Sequence, residues 1–378
     1  MQIPFTHNPN PTLGVELELH VIDAVTGDLA NAAVEILAEL GRGHPGDEHP
    51  KAKHELFQST IEIITGVCRT PQEAMTDLAE TLAEVRAAAG RRGLTLISSG
   101  THPFALARDQ VVSPDPRYHA LVAEMQWAAR RLLICGTHVH VGVPSGEHAI
   151  AIVNEVQRHL PLFMILSSSS PFLEREDTGL ASSRSMVFES LPTAGLPPRL
   201  RHWADFEAFL EMLIAAGCIE TVREVWWDVR PHPDFGTVEL RMCDAASTLR
   251  EAGALATLAQ ALVAHLVDQI DRGSLGPPPL EWAARENRWL AARHGVDAEL
   301  IVDDRGRRVP AGDLLDELVT ELRPTAERLG TAGGLDDVLR LWSIGPGYVR
   351  QRRIVEEGGS LADVVANLTL ELETGEPT

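Results

Sequence analysis

Residues 12–22 constrain the fold more than any other stretch of the chain. Leu13, Val15, Leu17, Leu19 and Val21 alternate with Gly14, Glu16, Glu18 and His20. That is the period of a β-strand with one apolar and one polar face. Side chains two positions apart on such a face sit about 6–7 Å apart. Carboxylates that close repel each other unless water or a cation lies between them. The strand is either a solvated edge or one wall of a divalent-metal site, and the other strands decide which.

Several segments repeat the pattern. In 137–143, His138 and His140 share one face opposite Val139 and Val141, and neutral imidazoles suit a divalent metal or a phosphate. In 237–243, Glu239 and Arg241 share a face. They read as a surface ion pair worth under ~1 kcal/mol, or as a metal ligand beside a phosphate clamp. Glu62 points away from its neighbours Ile61 and Ile63. Glu55 lies seven positions earlier, an odd separation that puts it on the opposite face of an unbroken strand. It joins Glu62 only if a bulge or loop intervenes. Trp226, Asp228 and Arg230 alternate with Trp227 and Val229. Glu16, Glu18, Glu62, His138, Glu239 and Arg241 thus recur on strand faces opposite an apolar core. This is the pattern of a metal–phosphate site, in which divalent ions hold carboxylates together and arginines neutralise phosphate oxygens.

The remaining pattern interleaves strands and helices up to Cys243 and is helical afterwards. Thr70, Pro71 and Glu73 predict a capped helix start, with Met75, Leu78, Leu82, Val85 and Ala89 as its apolar stripe. Helices are also expected over 31–40 and 117–132 and from Ser145 and Asp205, and strands over 94–98, 224–229 and 236–243. From Ser247 a long helix and two or three more are expected, with no further strand, as a layer on the same sheet. There is no fixed repeat period and no glycine-rich phosphate loop of the common types.

The formal charge of -21 argues against a nucleic-acid partner, whose phosphates require basic patches. No apolar run approaches the ~20 residues of a membrane helix. The first residues lack the basic and then apolar regions of a signal peptide, so a cytoplasmic protein without a membrane partner is expected. The four cysteines, Cys68, Cys135, Cys218 and Cys243, are too dispersed for a zinc knuckle or disulfide scaffold and are expected to be buried free thiols.

Six motifs, in order, carry a family resemblance: Gly14-Val15-Glu16-Leu17-Glu18, the stretch 62–68, Gly136-Thr137-His138-Val139-His140-Val141-Gly142, Arg184-Ser185-Met186-Val187-Phe188, Arg230-Pro231-His232-Pro233 and the stretch 236–241. The chain resembles the carboxylate–amine ligases of the glutamate–cysteine ligase type 2 family from Thr12 to its C-terminus. The resemblance implies an α+β fold like the catalytic domain of glutamine synthetase: a curved, mainly antiparallel sheet forming a funnel, with helices outside. It implies one catalytic domain over 1–378, of which 247–378 is a mainly helical part. It implies ATP and two or three Mg²⁺ or Mn²⁺ ions, one held by Glu18, Glu55 and Glu62 and another by Glu16, His138 and Glu239. By the same likeness His140 lies near the ATP phosphates, and Arg241 binds phosphate and acts with Glu239 in catalysis. Arg184 and Arg230 are candidates for the nucleotide or a substrate carboxylate.

The implied partners are a small-molecule acid and amine, glutamate and cysteine by the family's name, with a homodimer as the assembly. The implied reaction forms an acyl phosphate from ATP, which the amine converts to an amide. The resemblance assigns neither the catalytic base nor the amine pocket. Two alternatives use the same wall: a phosphotransferase that stops at the phosphorylated product, and a non-catalytic nucleotide-binding relative.

Overall fold

A computed structural model describes residues 2–378. Seven strands form the main sheet: β1 (Leu13–Asp23), β2 (Ala52–His54), β3 (Thr60–Ile64), β4 (Leu94–Ile97), β5 (Gly136–Gly142), β8 (Val229–His232) and β9 (Thr237–Asp244). Two short hairpins lie apart from it, β6 (Phe172–Leu173) with β7 (Glu176–Asp177) and β10 (Glu299–Ile301) with β11 (Arg308–Pro310). The main sheet runs β2-β3-β1-β5-β9-β8, with β4 also paired to β1. Every pairing in it is antiparallel.

β1 is the hub because its 11 residues are long enough to pair with β3, β4 and β5 at once. Its apolar face, Leu13 to Val21 in steps of two, is fully buried. That face joins Ile61, Ile63, Val139, Val141, Val238 and Leu240 in one core with the helices Pro71–Gly90 and Leu249–Asp271. Each such aliphatic side chain contributes about 1.5–3 kcal/mol on burial. With helices covering one face, the polar side chains of the strands are left together on the other. Contrary to the expectation that no apolar run approaches a membrane helix, Leu249–Asp271 is long and apolar enough to cross a membrane, but most of it is buried in this core.

The Pro71–Gly90 helix is capped by Thr70, whose Oγ1 accepts from the Glu73 N–H at 3.2 Å. Glu73 in turn accepts from the Arg69 N–H at 2.8 Å, so the reciprocal bond reaches one residue further out than a capping box predicts.

Several expectations need correction. The strand expected over 224–229 begins only at Val229 and runs to His232, after a 3-10 turn at Val222–Glu224. β8 is the sheet's edge, where Pro231 can sit without costing a ladder bond. The helix expected over 117–132 ends at Met125, because Gln126 turns to φ 49°. The chain's last third holds five helices beyond Leu249–Asp271, not two or three: Glu281–His294, Ala311–Leu329, Ala332–Ile344, Gly347–Glu356 and Leu361–Thr374. It also holds the β10–β11 hairpin, whose three-residue strands are too short to display a period. Cys218 is exposed, while Cys68, Cys135 and Cys243 are buried thiols as expected.

Candidate active site

The antiparallel register assembles the polar face. Glu16 lies opposite His138, and Glu18 opposite Glu62. Gly14 lies opposite His140, His140 opposite Glu239, and Glu239 opposite Arg230. One row of the sheet therefore runs Gly14, His140, Glu239, Arg230 across four strands. Glu55 is in no strand: it follows β2 in the connection to β3, the intervening loop that parity demands. Its backbone carbonyl accepts from Ser113 Oγ at 2.5 Å, and its carboxylate reaches Glu18 and Glu62.

Three clusters of donor atoms result, each with all atoms within 4.8 Å of one another: Glu18, Glu55 and Glu62; Glu16, Glu62 and His138; Glu16, His140 and Glu239. The resemblance grouped Glu16 with His138 and Glu239. The structure puts His140 beside Glu239 and His138 beside Glu62. Between Thr137 and Val139 the β5–β9 register shifts, because the extra residue lies in β9 between Cys243 and Leu240, and His138 has no register partner in β9, while β1 still holds it opposite Glu16. His138 Nδ1 lies 2.9 Å from Glu16 Oε2, and His140 Nε2 lies 3.2 Å from Glu16 Oε1 and 3.7 Å from Glu239 Oε1.

The wall is electrically divided. Around Glu239 the charges are matched: Arg230 Nε lies 2.7 Å from Oε2, and Arg241 Nη1 contacts Oε1. Burial works against the Glu239 carboxylate, but the two guanidiniums outweigh it and hold its pKa well below the usual range. Glu16 is likewise opposed by burial and lowered by hydrogen bonds from His138 and His140. Burial disfavours charge on His140, yet Glu239 and Glu16 raise its pKa. The other half has no such matching. Burial, then the charge of Glu18, pushes Glu55 up to about 8. Burial, then Glu16, Glu55 and Glu18, raises Glu62 well above the usual carboxylate range. Crowded oxygen donors held at this cost fit a divalent cation, which reverses the penalty.

Arg184, on the helix Ser183–Phe188, is 3% exposed and makes no ion pair among the described residues. Its contacts are the carbonyls of Met242 and Arg241, both at 3.4 Å, and the Phe188 ring at 5.6 Å; its Nε has no partner. It lies over β5 because Gly136 has no side chain: a Cβ there would fall 2.3 Å from Arg184 Nη2. Beneath it the Gly136 N–H donates to Glu18 Oε2 at 2.5 Å.

Other polar residues noted in the sequence lie outside the wall. Asp228 binds Arg288 at 2.7 Å, a buried ion pair that ties Glu281–His294 to the start of β8. Cys243 is buried against the Phe163 carbonyl. His20 is buried beside His102 and Cys135. Two ring residues lie at the wall's edge: His232 continues the alternation of Asp228 and Arg230 and falls within the Arg-Pro-His-Pro motif, whereas Phe235 lies in the following turn, where no period points to it.

Solved structures share this architecture. A glutamate–cysteine ligase of Francisella tularensis, crystallised with AMP, superposes with TM-score 0.72 at 12% identity, covering 97% of this chain and 90% of that one. A bifunctional glutathione synthetase of Pasteurella multocida gives 0.67 at 14% identity, covering 96% of this chain and 52% of that one. The fold defines the class, an α+β architecture built on an open antiparallel sheet that these ligase structures share. Within it the chain belongs to the glutamate–cysteine ligase family 2, whose sequence model matches residues 12–367. A relative in Frankia casuarinae, provisionally named glutamate–cysteine ligase 2-1, is 52% identical over 100% of this chain and 99% of its own length. One in Thermobifida fusca, provisionally glutamate–cysteine ligase 2, is 49% identical over 100% of this chain and 94% of its own. The protein is an ATP-dependent carboxylate–amine ligase acting on small molecules.

Proposed function

We propose that this ligase joins glutamate to cysteine with the help of Mg²⁺ or Mn²⁺, and that the polar wall of β1, β3, β5 and β9 is its active site. The observation that carries the reading is the register that sets Glu18 and Glu62, Glu16 and His138, and His140 and Glu239 opposite one another on one face.

Glu18, Glu55 and Glu62 would hold one cation. Glu16, His140 and Glu239 would hold a second, with His138 between Glu16 and Glu62. When bound, such ions neutralise phosphate oxygens and let two anions approach. Arg241, beside Glu239 on the same face, stabilises charge on the phosphoryl group as a carboxylate oxygen attacks it and ADP departs. Arg230, bonded to Glu239 and to the carbonyls of Val222, Arg223 and Val225, orients Glu239. Arg184, a buried cation that makes no ion pair among the described residues and whose charge Asp244 feels from a distance, receives a carboxylate of the acid substrate. Attack by the amine nitrogen on the acyl phosphate then expels phosphate, and the amine proton leaves to a base.

The whole of 1–378 acts as one catalytic domain, supported by the core that Leu249–Asp271 shares with the sheet. The family's homodimer is the working assembly. Free cysteines suit a reducing cytoplasm.

The test is ADP release from ATP and Mg²⁺ with glutamate and a panel of amines that includes cysteine, with mass spectrometry of the product. Cysteine-dependent ADP and a matching amide are expected. ADP with a stable phosphorylated acid, regardless of amine, would make the protein a phosphotransferase. No turnover with any acid–amine pair would leave a nucleotide-binding relative.

A further inference from the structure

The polar wall has two unlike ends. At one, Glu18 and Gly136 lie beneath the buried guanidinium of Arg184. At the other, the turn between β8 and β9 gathers rings. His232 and Phe235 stack in parallel, with centroids 4.1 Å apart and planes 5° from each other. Both meet His140 edge-on, at 5.6 Å and 5.8 Å.

The turn is braced. Gly236 adopts φ +64° where an added Cβ would fall 2.1 Å from the Thr6 carbonyl. The Thr6 N–H donates to the Pro233 carbonyl at 3.0 Å, and its hydroxyl to the Asp234 carbonyl at 2.8 Å. His232 is 6% exposed, whereas Phe235 is 57% exposed. One flat face of Phe235 is therefore backed by a fixed imidazole and much of the remaining ring faces solvent. Across His140, Gly14 leaves bare backbone: a Cβ there would meet only Thr65 Oγ1 at 3.8 Å and His140 Cβ at 4.0 Å.

A rigidly backed, open aromatic face suits a heteroaromatic ring, since every nucleobase has a π-face to stack. His140 touches the rings on one side and lies 3.2 Å from Glu16 and 3.7 Å from Glu239 on the other. A base resting on Phe235 leaves its phosphates over His140, directed at the carboxylate clusters. The opposite end offers a buried cation whose guanidinium already covers the half-buried Phe188 ring at 5.6 Å.

We propose that Phe235 is the stacking platform for the adenine base of ATP, with His232 as its backing ring. The proposal rests on reading this wall as the nucleotide site. It makes the β8–β9 turn the nucleotide entrance and leaves the Arg184 end for the acid.

Calorimetric titration with Mg²⁺ present compares ATP with inorganic tripolyphosphate, which carries the phosphates without a base. Phe235→Ala should weaken ATP binding by roughly tenfold or more, the scale of one lost base–aromatic stack, and leave tripolyphosphate binding unchanged. Phe235→Trp should restore ATP binding, and in turnover the alanine variant should raise KM for ATP without altering KM for the acid. Unchanged ATP affinity in the alanine variant overturns the platform. Equal losses for ATP and tripolyphosphate overturn it too, because they mark a distorted phosphate site. If the wild type binds neither, the nucleotide reading of the wall fails first, and the platform with it.

Discussion

Glu18 and Glu62 stand directly opposite each other across β1 and β3, two carboxylates where a stable sheet normally sets complementary partners. Like charges in that position are destabilising, and Glu55 adds a third carboxyl group. Glu62→Gln should therefore raise the stability of the metal-free protein by about 1 kcal/mol, read from the urea midpoint. The same variant should lose turnover by at least about a hundredfold and lose the thermal stabilisation that Mg²⁺ gives the wild type. A variant that is less stable than wild type yet still responds to Mg²⁺ would remove Glu62 from the cation site.

Glu55 sets a pH dependence. Burial and then the charge of Glu18 push its pKa up to about 8, so above pH 4.5 the folded state holds this proton more tightly than the unfolded chain. Its contribution to stability is complete below pH 4.5 and is lost as pH rises through 8. The metal-free protein should melt at a lower temperature at pH 8.5 than at pH 7. Added Mg²⁺ should stabilise it more at the higher pH and release protons on binding near neutrality, detected by calorimetry in buffers of different ionisation enthalpy. Binding without proton release would count against Glu55 as a ligand.

Gly136 is the seat of Arg184. Gly136→Ala puts a Cβ 2.3 Å from Arg184 Nη2 and 3.1 Å from the Cys243 carbonyl, so the guanidinium must move. KM for the acid should rise about tenfold or more, the scale of a lost charged hydrogen bond, with KM for ATP little changed. Equal effects on both substrates would place Arg184 outside the acid subsite.

Arg350 tests the helical part. It is 1% exposed and holds Glu251 at 2.8 Å and Glu371 at 2.7 Å, joining the helices Leu249–Asp271, Gly347–Glu356 and Leu361–Thr374. Arg350→Ala strands two buried carboxylates and should cost about 3–5 kcal/mol, measured by urea unfolding. A loss below 1 kcal/mol would mean that these carboxylates are protonated or hydrated in the folded protein.

The sequence by itself determined the strand faces. Alternation in β1, β5 and β9 identifies which side chains leave the core, because Cβ direction depends only on backbone period. The stripe Leu78, Leu82 and Val85 identified a helix for the same local reason. The family resemblance added Glu55, which parity alone put on the face opposite Glu62. Tertiary structure alone decided who meets whom. The register shift at Thr137–Val139 gave Glu239 to His140 and left His138 with Glu16 and Glu62. The connection after β2 brought Glu55 to Glu62, Gly136 made room for Arg184, and the edge turn stacked Phe235 on His232. These pairings join residues up to about a hundred or more positions apart. Cross-strand register and helix approach are chosen by the packing of the shared core, and no local period carries that information.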